Sequence, residues 1–317
     1  MKAYLGIDVG SVTTKFAVLD EKDELVISRC TRTQGKPIAV IQEGLREIAR
    51  ELPSDVEIIG VGTTGSARYL TSVVVGADVV KNEITAHAVG ALHFVPEAQT
   101  ILEIGGQDSK IIILRDGIVV DFAMNTVCAA GTGAFLDQQA SRLNMKIEDF
   151  GTWALQSQNP VRIAGRCTVF AESDMIHKQQ MGHRVEDILY GLCEALARNY
   201  LNNLGLGKEI LPPVVFQGGV AANRGIVRAF EASLKTEIIV PPHHQVMGAI
   251  GAALLAHENV SPNGYSCKFK GFGVSDVEYT TRSFECKGCS NICEIVEIKV
   301  DQKAIARWGG RCGKWDM

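Results

Sequence analysis

The chain has 317 residues, of which 46% are hydrophobic, and a formal net charge of −4. This length predicts two domains, and the acidic balance without any basic run argues against nucleic acid as a main partner. No stretch reaches the roughly 18 uninterrupted apolar residues of a membrane span, and the N-terminus opens into a strand rather than a signal peptide, so we expect a cytoplasmic protein with no membrane partner.

The first predicted unit is a strand, a glycine-containing polar turn and two further strands, at 2–7, 16–19 and 25–30. Backbone N–H groups and hydroxyls of such a turn can surround a phosphate, and Asp8 would face the accompanying Mg²⁺ through water. Most Gly-Ser turns are only turns, and Lys15 could be an ordinary surface lysine. The turn residues selected as cofactor-binding are Gly10, Ser11, Thr13, Thr14 and Lys15.

The same layout recurs further along the chain. The elements of this part are predicted at 37–52 (amphipathic helix), 56–61 (strand), 81–91 (helix of small residues), 100–104, 111–114 and 118–124 (strands). A second glycine turn, Gly105-Gly106-Gln107-Asp108, follows the first strand of the repeat. Two copies of one strand–turn–strand unit, each with a phosphate-type turn, predict two similar domains facing a cleft.

Two of the nine cysteines lie just before predicted helices. Cys128 precedes a helix at 135–143 that Thr132 could cap, and Cys167 precedes a helix capped by Thr168 that ends near 182. Free N–H groups and the positive dipole end at a helix start favour a thiolate that holds a metal. A [4Fe–4S] cluster takes four thiolates, so we hypothesise one cluster shared by a twofold dimer. Spacing alone favours the alternative of two ordinary buried cysteines.

The rest of the body contains a third glycine turn. Its elements are predicted at 185–204 (helix), 212–216 and 237–240 (strands) and 247–256 (helix of small residues), with an irregular polar stretch around 156–160. Cys193 fits the apolar face of the helix at 185–204, and we assign it to the core. The turn after 212–216 contains Gly218, Gly219 and Asn223.

Five stretches of the chain resemble the motifs of the acetate kinase/sugar kinase/Hsp70/actin superfamily. The hairpin at Asp8 resembles phosphate 1, the turn at Gly105 phosphate 2, and the turn at Gly218 the adenosine motif. The helices that contain Asn82-Glu83 and Gly248 resemble connect 1 and connect 2. This resemblance implies an α/β actin-like ATPase fold, with two ribonuclease-H-like domains and with ATP and Mg²⁺ in the cleft between them.

The resemblance also implies roles for individual residues. Gln107 would orient the attacking water, while Asp8, Glu83 and Asp108 would organise Mg²⁺ and its waters. The glycines would allow the backbone to approach ATP or ADP without a Cβ clash. Those glycines are Gly105, Gly106, Gly218 and Gly219. Asn223 of the adenosine turn is a further predicted cofactor-binding residue.

The segments around Cys128 and Cys167 resemble the BadF/BadG/HgdC-type ATPases, which activate 2-hydroxyacyl-CoA dehydratases or reduce double-cubane cluster proteins. The resemblance implies a homodimer in which each subunit gives these two cysteines to one bridging [4Fe–4S] cluster. The chain would then be an ATP-driven one-electron donor. Its partners would be an iron–sulfur dehydratase or double-cubane reductase and an upstream donor such as ferredoxin or flavodoxin.

The residues after 260 depart from the simple activators and resemble the tail of reductases that serve double-cubane proteins. They contain a C-x2-C-x3-C group and a fourth cysteine 19 positions later, which is the spacing of metal ligands. We predict a second metal, zinc or iron–sulfur, and the alternative is four cysteines without a metal. The tail cysteines are Cys286, Cys289, Cys293 and Cys312.

We predict a first ribonuclease-H-like domain at 1–95, completed by 248–260, a second at 96–247 that carries the cluster cysteines, and a cysteine-rich extension at 261–317. Two rival functions use the same fold. One is a small-molecule kinase, although such kinases usually carry a catalytic aspartate where this chain has Gln107. The other is a redox sensor or cluster scaffold that binds ATP without driving electron transfer.

Overall fold

The computed structural model describes residues 1–125, 128–260 and 267–315. The chain forms two compact units: the first contains Met1–Gly10, Thr14–Lys81 and Ala252–Met317, and the second contains Ser11–Thr13 and Asn82–Gly251. Positions 261–266 and 316–317 of the predicted extension lie outside the described residues. Within the described part of the chain, no helix is both long enough and apolar enough to cross a membrane.

The strands are β1 (Lys2–Val9), β2 (Thr13–Asp20), β3 (Leu25–Arg32), β4 (Glu57–Thr64), β5 (Val79–Val80), β6 (Thr100–Ile104), β7 (Ser109–Arg115), β8 (Ile118–Asn125), β9 (Val214–Gln217), β10 (Ile238–Ile239), β11 (Thr280–Glu285), β12 (Glu294–Val300) and β13 (Lys303–Trp308). The helices are α1 (Pro37–Glu51), α2 (Arg68–Val75), α3 (Glu83–Phe94), α4 (Gly133–Arg142), α5 (Ile147–Ala154), α6 (Thr168–Gln180), α7 (Val185–Leu204), α8 (Arg224–Leu234) and α9 (Met247–Val260).

The first unit is built on a mixed sheet with strand order β3-β2-β1-β4-β5. The central strand β1 is buried from Ala3 to Val9, as expected of a strand covered on both faces. The helix α1 begins with Pro37 at its N-terminus and buries Ile41, Leu45 and Ile48, whose spacing places them on one face. The predicted strands of this unit and the helix after them are confirmed, with ends that differ by a few residues.

The second unit repeats this sheet. Its strand order, read from the β8 edge, is β8-β7-β6-β9-β10. Counted along the chain, these are the third, second, first, fourth and fifth strands of the unit, which is the order of the first sheet. The registers also agree, because Glu103 on β6 lies opposite Lys110 on β7 just as Asp8 on β1 lies opposite Lys15 on β2. The prediction that one strand–turn–strand unit occurs twice is confirmed.

Helices surround the second sheet. The side chain of Asn82 accepts a hydrogen bond from Thr85 N at 2.9 Å and so caps α3. The helices α3 and α9 cross backbone to backbone, since a Cβ on Gly251 would lie 1.8 Å from Ala86 O. The long helix α7 passes through the core, and Cys193 on it is fully buried, as predicted.

Several local predictions are wrong or incomplete. The helices α2, α5 and α8 are absent from the sequence prediction. The N-cap of α6 is Cys167, and Thr168 is its first residue. Thr132 does occupy the N-cap of α4, but its hydroxyl donates to Ala129 O at 2.8 Å instead of capping the helix.

The tail folds with the first unit and ends in a three-stranded antiparallel sheet of order β11-β12-β13. Gln42 Nε2 on α1 donates to Val274 O at 3.1 Å and to Val277 O at 2.8 Å, which attaches the start of the tail. In the sheet, Glu297 is fully buried and accepts hydrogen bonds from Arg282 Nε at 2.6 Å and Arg307 Nε at 2.5 Å.

Candidate functional site

In the first unit, the end of β1 carries a buried carboxylate beside a lysine. Asp8 is 3% exposed, and its Oδ2 accepts a hydrogen bond from Lys15 Nζ at 3.0 Å. Thr14 is fully buried, and its Oγ1 lies 3.0 Å from Thr33 Oγ1, which in turn donates to Gly10 O at 2.9 Å. The hydroxyl of Thr14 therefore supports the turn at Gly10 from inside the unit.

In the second unit, the glycine turn after β6 is held by the start of α4. Gly133 N donates to Gly105 O at 2.9 Å, and Ala134 N donates to Gly106 O at 2.9 Å. The first N–H groups of a helix have no partner within the helix, and in α4 two of them bind the turn. The side chain of Gln107 is exposed at the tip of this turn.

A buried lysine gathers three carboxylates next to the same turn. Lys110 is 2% exposed, and its Nζ lies 2.9 Å from Glu83 Oε2, 3.0 Å from Glu103 Oε2 and 2.9 Å from Asp108 Oδ2. Glu83 is the first residue of α3, Glu103 lies on β6 and Asp108 lies in the turn. One ammonium therefore joins three elements and leaves the cluster with an excess of negative charge.

The side chain of Lys110 stays positively charged in this cluster. Burial alone would lower its pKa, but the coulombic effects of Glu103, Glu83 and Asp108 outweigh burial and raise the pKa above its ordinary value. Sequence reasoning selected Glu83 and Asp108 but missed Glu103 and Lys110. The signal was present, because charged residues in otherwise apolar strands are rarely buried without a partner.

The third glycine turn lies against the same carboxylate. Gly218 has φ +92°, and a Cβ there would lie 2.4 Å from Ile104 O and 2.9 Å from Glu103 Oε1. The position therefore requires glycine both for its backbone conformation and for space. A Cβ on Gly219 would instead meet open space.

Asn223, predicted as a cofactor ligand, has a structural task at the same turn. Its Oδ1 accepts hydrogen bonds from Gly225 N at 3.0 Å and from Ile226 N at 3.2 Å, and so caps α8. Its Nδ2 is buried without a hydrogen-bond partner among the residues that the structure describes. A role of that amide in binding a cofactor stays a prediction.

Cys128 is fixed by a neighbouring side chain. Asn125, the last residue of β8, donates from Nδ2 to Cys128 O at 2.8 Å and accepts from Cys128 N at 3.0 Å. The residue directly precedes the short 3₁₀ helix Ala129–Gly131, which leads into α4. The thiol is free and half-buried.

Cys167 lies at the start of α6 and is also free and half-buried. The segment before it is attached to α7, since Asn199 Nδ2 donates to Gly165 O at 2.5 Å and Arg198 Nη2 donates to Ile163 O at 2.7 Å. The two residues after Thr168, Val169 and Phe170, are each 66% exposed. An apolar surface of this kind next to Cys167 is typical of a protein contact.

The tail cysteines lie on two neighbouring segments. Cys286 N donates to Cys293 O at 2.8 Å, so these two residues continue the β11–β12 pairing. The segment after β13 returns to this hairpin, where the rings of Phe284 and Trp315 are 5.1 Å apart. The Trp315 indole lowers the pKa of the Cys286 thiol, and the Gly288 N–H lowers it further by a smaller amount.

The structure groups the predicted site residues as follows. Asp8, Lys15, Gly10 and Thr14 lie together in the first unit, and the second unit brings Glu83, Gly105, Asp108 and Gly218 around Glu103 and Lys110. Ser11 is exposed and Thr13 is half-buried. Across residues 1–125, 128–260 and 267–315, no three His, Cys, Asp or Glu side chains form a metal-binding group.

The chain is similar to known proteins over most of its length. It matches the model of the BadF/BadG/BcrA/BcrD ATPase family over residues 5–256. It is 38% identical over 264 residues to the 2-hydroxyisocaproyl-CoA dehydratase activator of Clostridioides difficile, a match that covers 80% of this chain and 94% of the relative. It is also 38% identical over 264 residues to the (R)-2-hydroxyglutaryl-CoA dehydratase activating ATPase of Acidaminococcus fermentans, over 81% of this chain and 98% of the relative.

A solved structure agrees with these matches. The Clostridium difficile activator of the 2-hydroxyisocaproyl-CoA dehydratase, with bound ADPNP, aligns with a TM-score of 0.72 at 36% identity, over 81% of this chain and 95% of that one. The chain therefore has the α/β actin-like ATPase fold that the sequence predicts.

Proposed function

The chain belongs to the BadF/BadG/BcrA/BcrD ATPase family, and on this premise we propose that it hydrolyses ATP to drive one-electron transfer to a partner iron–sulfur enzyme. The electron would leave a [4Fe–4S] cluster that bridges two copies of the chain. The partner would be of the 2-hydroxyacyl-CoA dehydratase type or a double-cubane cluster protein. A ferredoxin or flavodoxin would reduce the cluster.

The hydrogen bonds between the second glycine turn and α4 are the observation that carries this proposal. Gly133 and Ala134 bind the carbonyl groups of Gly105 and Gly106, and the same segment begins at Cys128. A displacement of the turn when nucleotide binds or is hydrolysed would pull directly on the helix that follows this cysteine. Packed elements respond to such displacements by moving as bodies, because interiors do not deform continuously.

The two cysteines suit a shared cluster in their chemistry and position. Both are free, half-buried thiols in the same unit. Cys167 is the N-cap of α6, where N–H groups and the helix dipole favour a bound anion, and Cys128 precedes the short 3₁₀ helix that leads into α4. Two thiols per chain make four in a twofold dimer. When bound, the cluster would supply one electron at a time.

Residues of the glycine turns would act on the nucleotide. We assign Asp8 to Mg²⁺ through water and Gln107 to the attacking water. Lys110 would keep Glu83 and Asp108 in place, because all three carboxylates around it lie within 3.0 Å of its ammonium. Gly219, which is open to space, would let the nucleotide approach the backbone.

The exposed apolar residues beside Cys167 support a protein contact at the cluster. Val169 and Phe170 follow the N-cap cysteine of α6 and are each two-thirds exposed. A second copy that shares the cluster would cover this region and exclude water from it. The dimer would then depend on the cluster.

The test is anaerobic purification with iron analysis, EPR and ATPase assays in both redox states. We expect Cys128→Ser and Cys167→Ser each to lose about four iron atoms per dimer relative to wild type, the content of one cubane, and to weaken the dimer. Cys30→Ser is the control, because Cys30 is exposed and lies in the first unit.

Other outcomes point elsewhere. A loss of about four iron atoms per chain, and not per dimer, in these two variants would refute the bridging arrangement. A colourless protein that transfers phosphate to a small molecule would be a kinase. A protein that holds a cluster and binds ATP, but gives no ATP-dependent electron transfer, would be a sensor or scaffold.

For the tail we propose a second metal, zinc or iron–sulfur, bound by Cys286, Cys289, Cys293 and Cys312. The pairing of Cys286 with Cys293 and the return of the segment after β13 support it. Elemental analysis of Cys289→Ser tests the proposal. Loss of zinc alone would identify zinc, and full retention of metal would show that these cysteines are not ligands.

A further inference from the structure

Both cysteine segments contact one buried asparagine on α7. Asn199 is 3% exposed and lies in the last two turns of the helix. Its Nδ2 donates to Gly165 O at 2.5 Å, two residues before Cys167. Its Oδ1 faces Gly131, three residues after Cys128. A Cβ built on Gly131 would lie 2.9 Å from this oxygen.

The orientation of this amide is determined by its partners. Asn203 Nδ2 donates to Asn199 Oδ1 at 3.0 Å, so the oxygen accepts from that side while the nitrogen donates to Gly165. Asparagine supplies a donor and an acceptor on one short, planar group. Leucine would fill similar space with neither function, and aspartate could not donate to a carbonyl.

One further contact brings the segment before Cys167 close to α7, and another restricts the segment after Cys128. A Cβ on Gly165 would lie 2.7 Å from Ala195 O, so this segment lies directly on the helix backbone. Asn125, which holds Cys128, also approaches Gly131, with Nδ2 3.5 Å from a Cβ built there. The residues around Asn199 therefore leave little freedom on either side.

We propose that Asn199 is a positioning residue for the cluster: its amide is hydrogen-bonded to the segment before Cys167 and packs against the segment after Cys128, and so sets the placement of the two thiols relative to each other. The proposal rests on the proposed function in that the thiols hold a cluster. It adds a connection to the nucleotide turn, because Gly105 and Gly106 bind α4 directly after Gly131. A movement of that turn would thus reach both cysteines.

Hydrogen–deuterium exchange of the full-length chain, read by mass spectrometry, tests the connection without depending on a cluster. The reporters are Gly133 N and Ala134 N in one segment and Ala164 N, which donates to Asp174 Oδ2 at 2.8 Å, in the other. In Asn199→Ala the Ala164 segment should exchange about tenfold faster, as expected when one buried hydrogen bond is lost. Gly133 and Ala134 should also exchange faster, because the substitution removes the side chain that packs against Gly131. The control is Asn202→Ala, an exposed asparagine of the same helix, which should change neither segment.

A second variant approaches the amide from the other side. Gly131→Ala places a methyl group against Asn199 Oδ1 and should speed exchange at Ala164, although position 131 lies far from 164 in sequence. If Asn199→Ala does not fold, as judged by circular dichroism, the exchange rate of Ala164 in Gly131→Ala tests the proposal. A change confined to its own segment, or an Asn199→Ala protein in which only one segment responds, would overturn the proposal.

The cluster itself gives the third measurement. In anaerobically reconstituted full-length protein, Asn199→Ala should release iron to a chelator about tenfold faster than wild type, the factor expected from one lost buried hydrogen bond, and should change the EPR line shape of the reduced cluster. Unchanged release and an unchanged spectrum would refute a positioning role. If wild type holds no cluster, the proposed function fails, while the exchange results still decide whether Asn199 joins the two segments.

Discussion

Glu103 and Lys110 lie opposite each other on β6 and β7, with Oε2 and Nζ 3.0 Å apart, in the register that Asp8 and Lys15 occupy on β1 and β2. Both pairs are seven residues apart in sequence. They differ in accessibility, since the Lys15 side chain is 18% exposed and the Lys110 side chain is 2% exposed. Glu83 and Asp108 also contact Lys110, so the Glu103–Lys110 pair is part of a buried charge cluster.

Replacing Lys110 should therefore be severe. Lys110→Met removes the cation shared by three carboxylates, of which Glu103 is buried, and we expect a loss of about 3–5 kcal/mol in the free energy of unfolding. This loss of stability should become smaller as the pH is lowered, because the carboxylates around position 110 can then bind protons. Urea denaturation at several pH values measures it.

A matched lysine on the same unit serves as the control. Lys208 bonds Asp121 at 2.5 Å, but that carboxylate is 55% exposed, and an exposed pair contributes far less to stability than a buried one. If Lys110→Met costs no more than Lys208→Met, the buried cluster does not stabilise the second unit.

The two adjacent glycines of the third turn should respond differently to the same substitution. Gly218→Ala forces a Cβ to within 2.4 Å of Ile104 O at a φ of +92°, and the backbone strain alone should cost about 1–3 kcal/mol. Gly219→Ala meets open space, so its melting temperature should match wild type while its affinity for ATP falls. Thermal melts and nucleotide titrations separate the two effects, and equal melting temperatures would contradict the strain at Gly218.

Gln107 should act in hydrolysis and not in cluster binding. Gln107→Ala should keep its iron and bind ATP, yet lose about 2–4 kcal/mol of transition-state stabilisation, as for other single polar catalytic contacts. The exposed Gln156 provides the control substitution.

Stopped-flow mixing of the reduced Gln107→Ala protein with oxidised partner and ATP then tests coupling. If ATP binding suffices, a first electron should transfer and only multiple turnover should fail. Unchanged multiple turnover alongside lost hydrolysis would refute coupling.

The tail sheet should lose stability in acid through Glu297. Hydrogen bonding from Arg282 lowers the pKa of Glu297 from 4.5 to about 2, with a further contribution from Arg307 and against the effect of burial. Because the folded pKa lies below the unfolded one, this contribution is present above pH 4.5 and is lost as the pH falls towards 2. Fluorescence of Trp308 and Trp315 should follow the loss.

The matched variants for this pH effect are two carboxyl-to-amide changes. Glu297→Gln should lack the transition between these pH values, whereas Glu285→Gln, on the exposed side of β11, should retain it. The same acid profile in both would show that Glu297 is not responsible.

The repeated sheet was predictable because apolar strands and glycine turns are local in sequence. Some helices were not predicted because their sequences also fit another structure or role. The Val73-Val74-Val75 run of α2 reads as a strand, since β-branched residues favour sheets. The signal for α8 was available in Asn223, whose side chain caps that helix, but the glycines beside it favoured a cofactor role.

Where a motif was present, the sequence selected residues that the structure brings together. The turns at Gly105 and Gly218 were selected this way, and so were Glu83 and Asp108, while their roles in nucleotide binding stay predictions. Lys110 was missed because its partners come from three separate elements. Asn199 gave no sequence signal at all, since Gly165 lies 34 residues before it.

The two sheets also differ in what joins their third and fourth strands. Between β3 and β4 the chain forms the single helix α1, whereas between β8 and β9 it forms α4, α5, α6 and α7, with Cys128 and Cys167 among them. Strand pairing is the same in both units despite this difference. The proposed cluster cysteines thus lie in one enlarged connection of a repeated sheet, a place where an activity could be gained or lost in evolution without a change to the ATPase sheets.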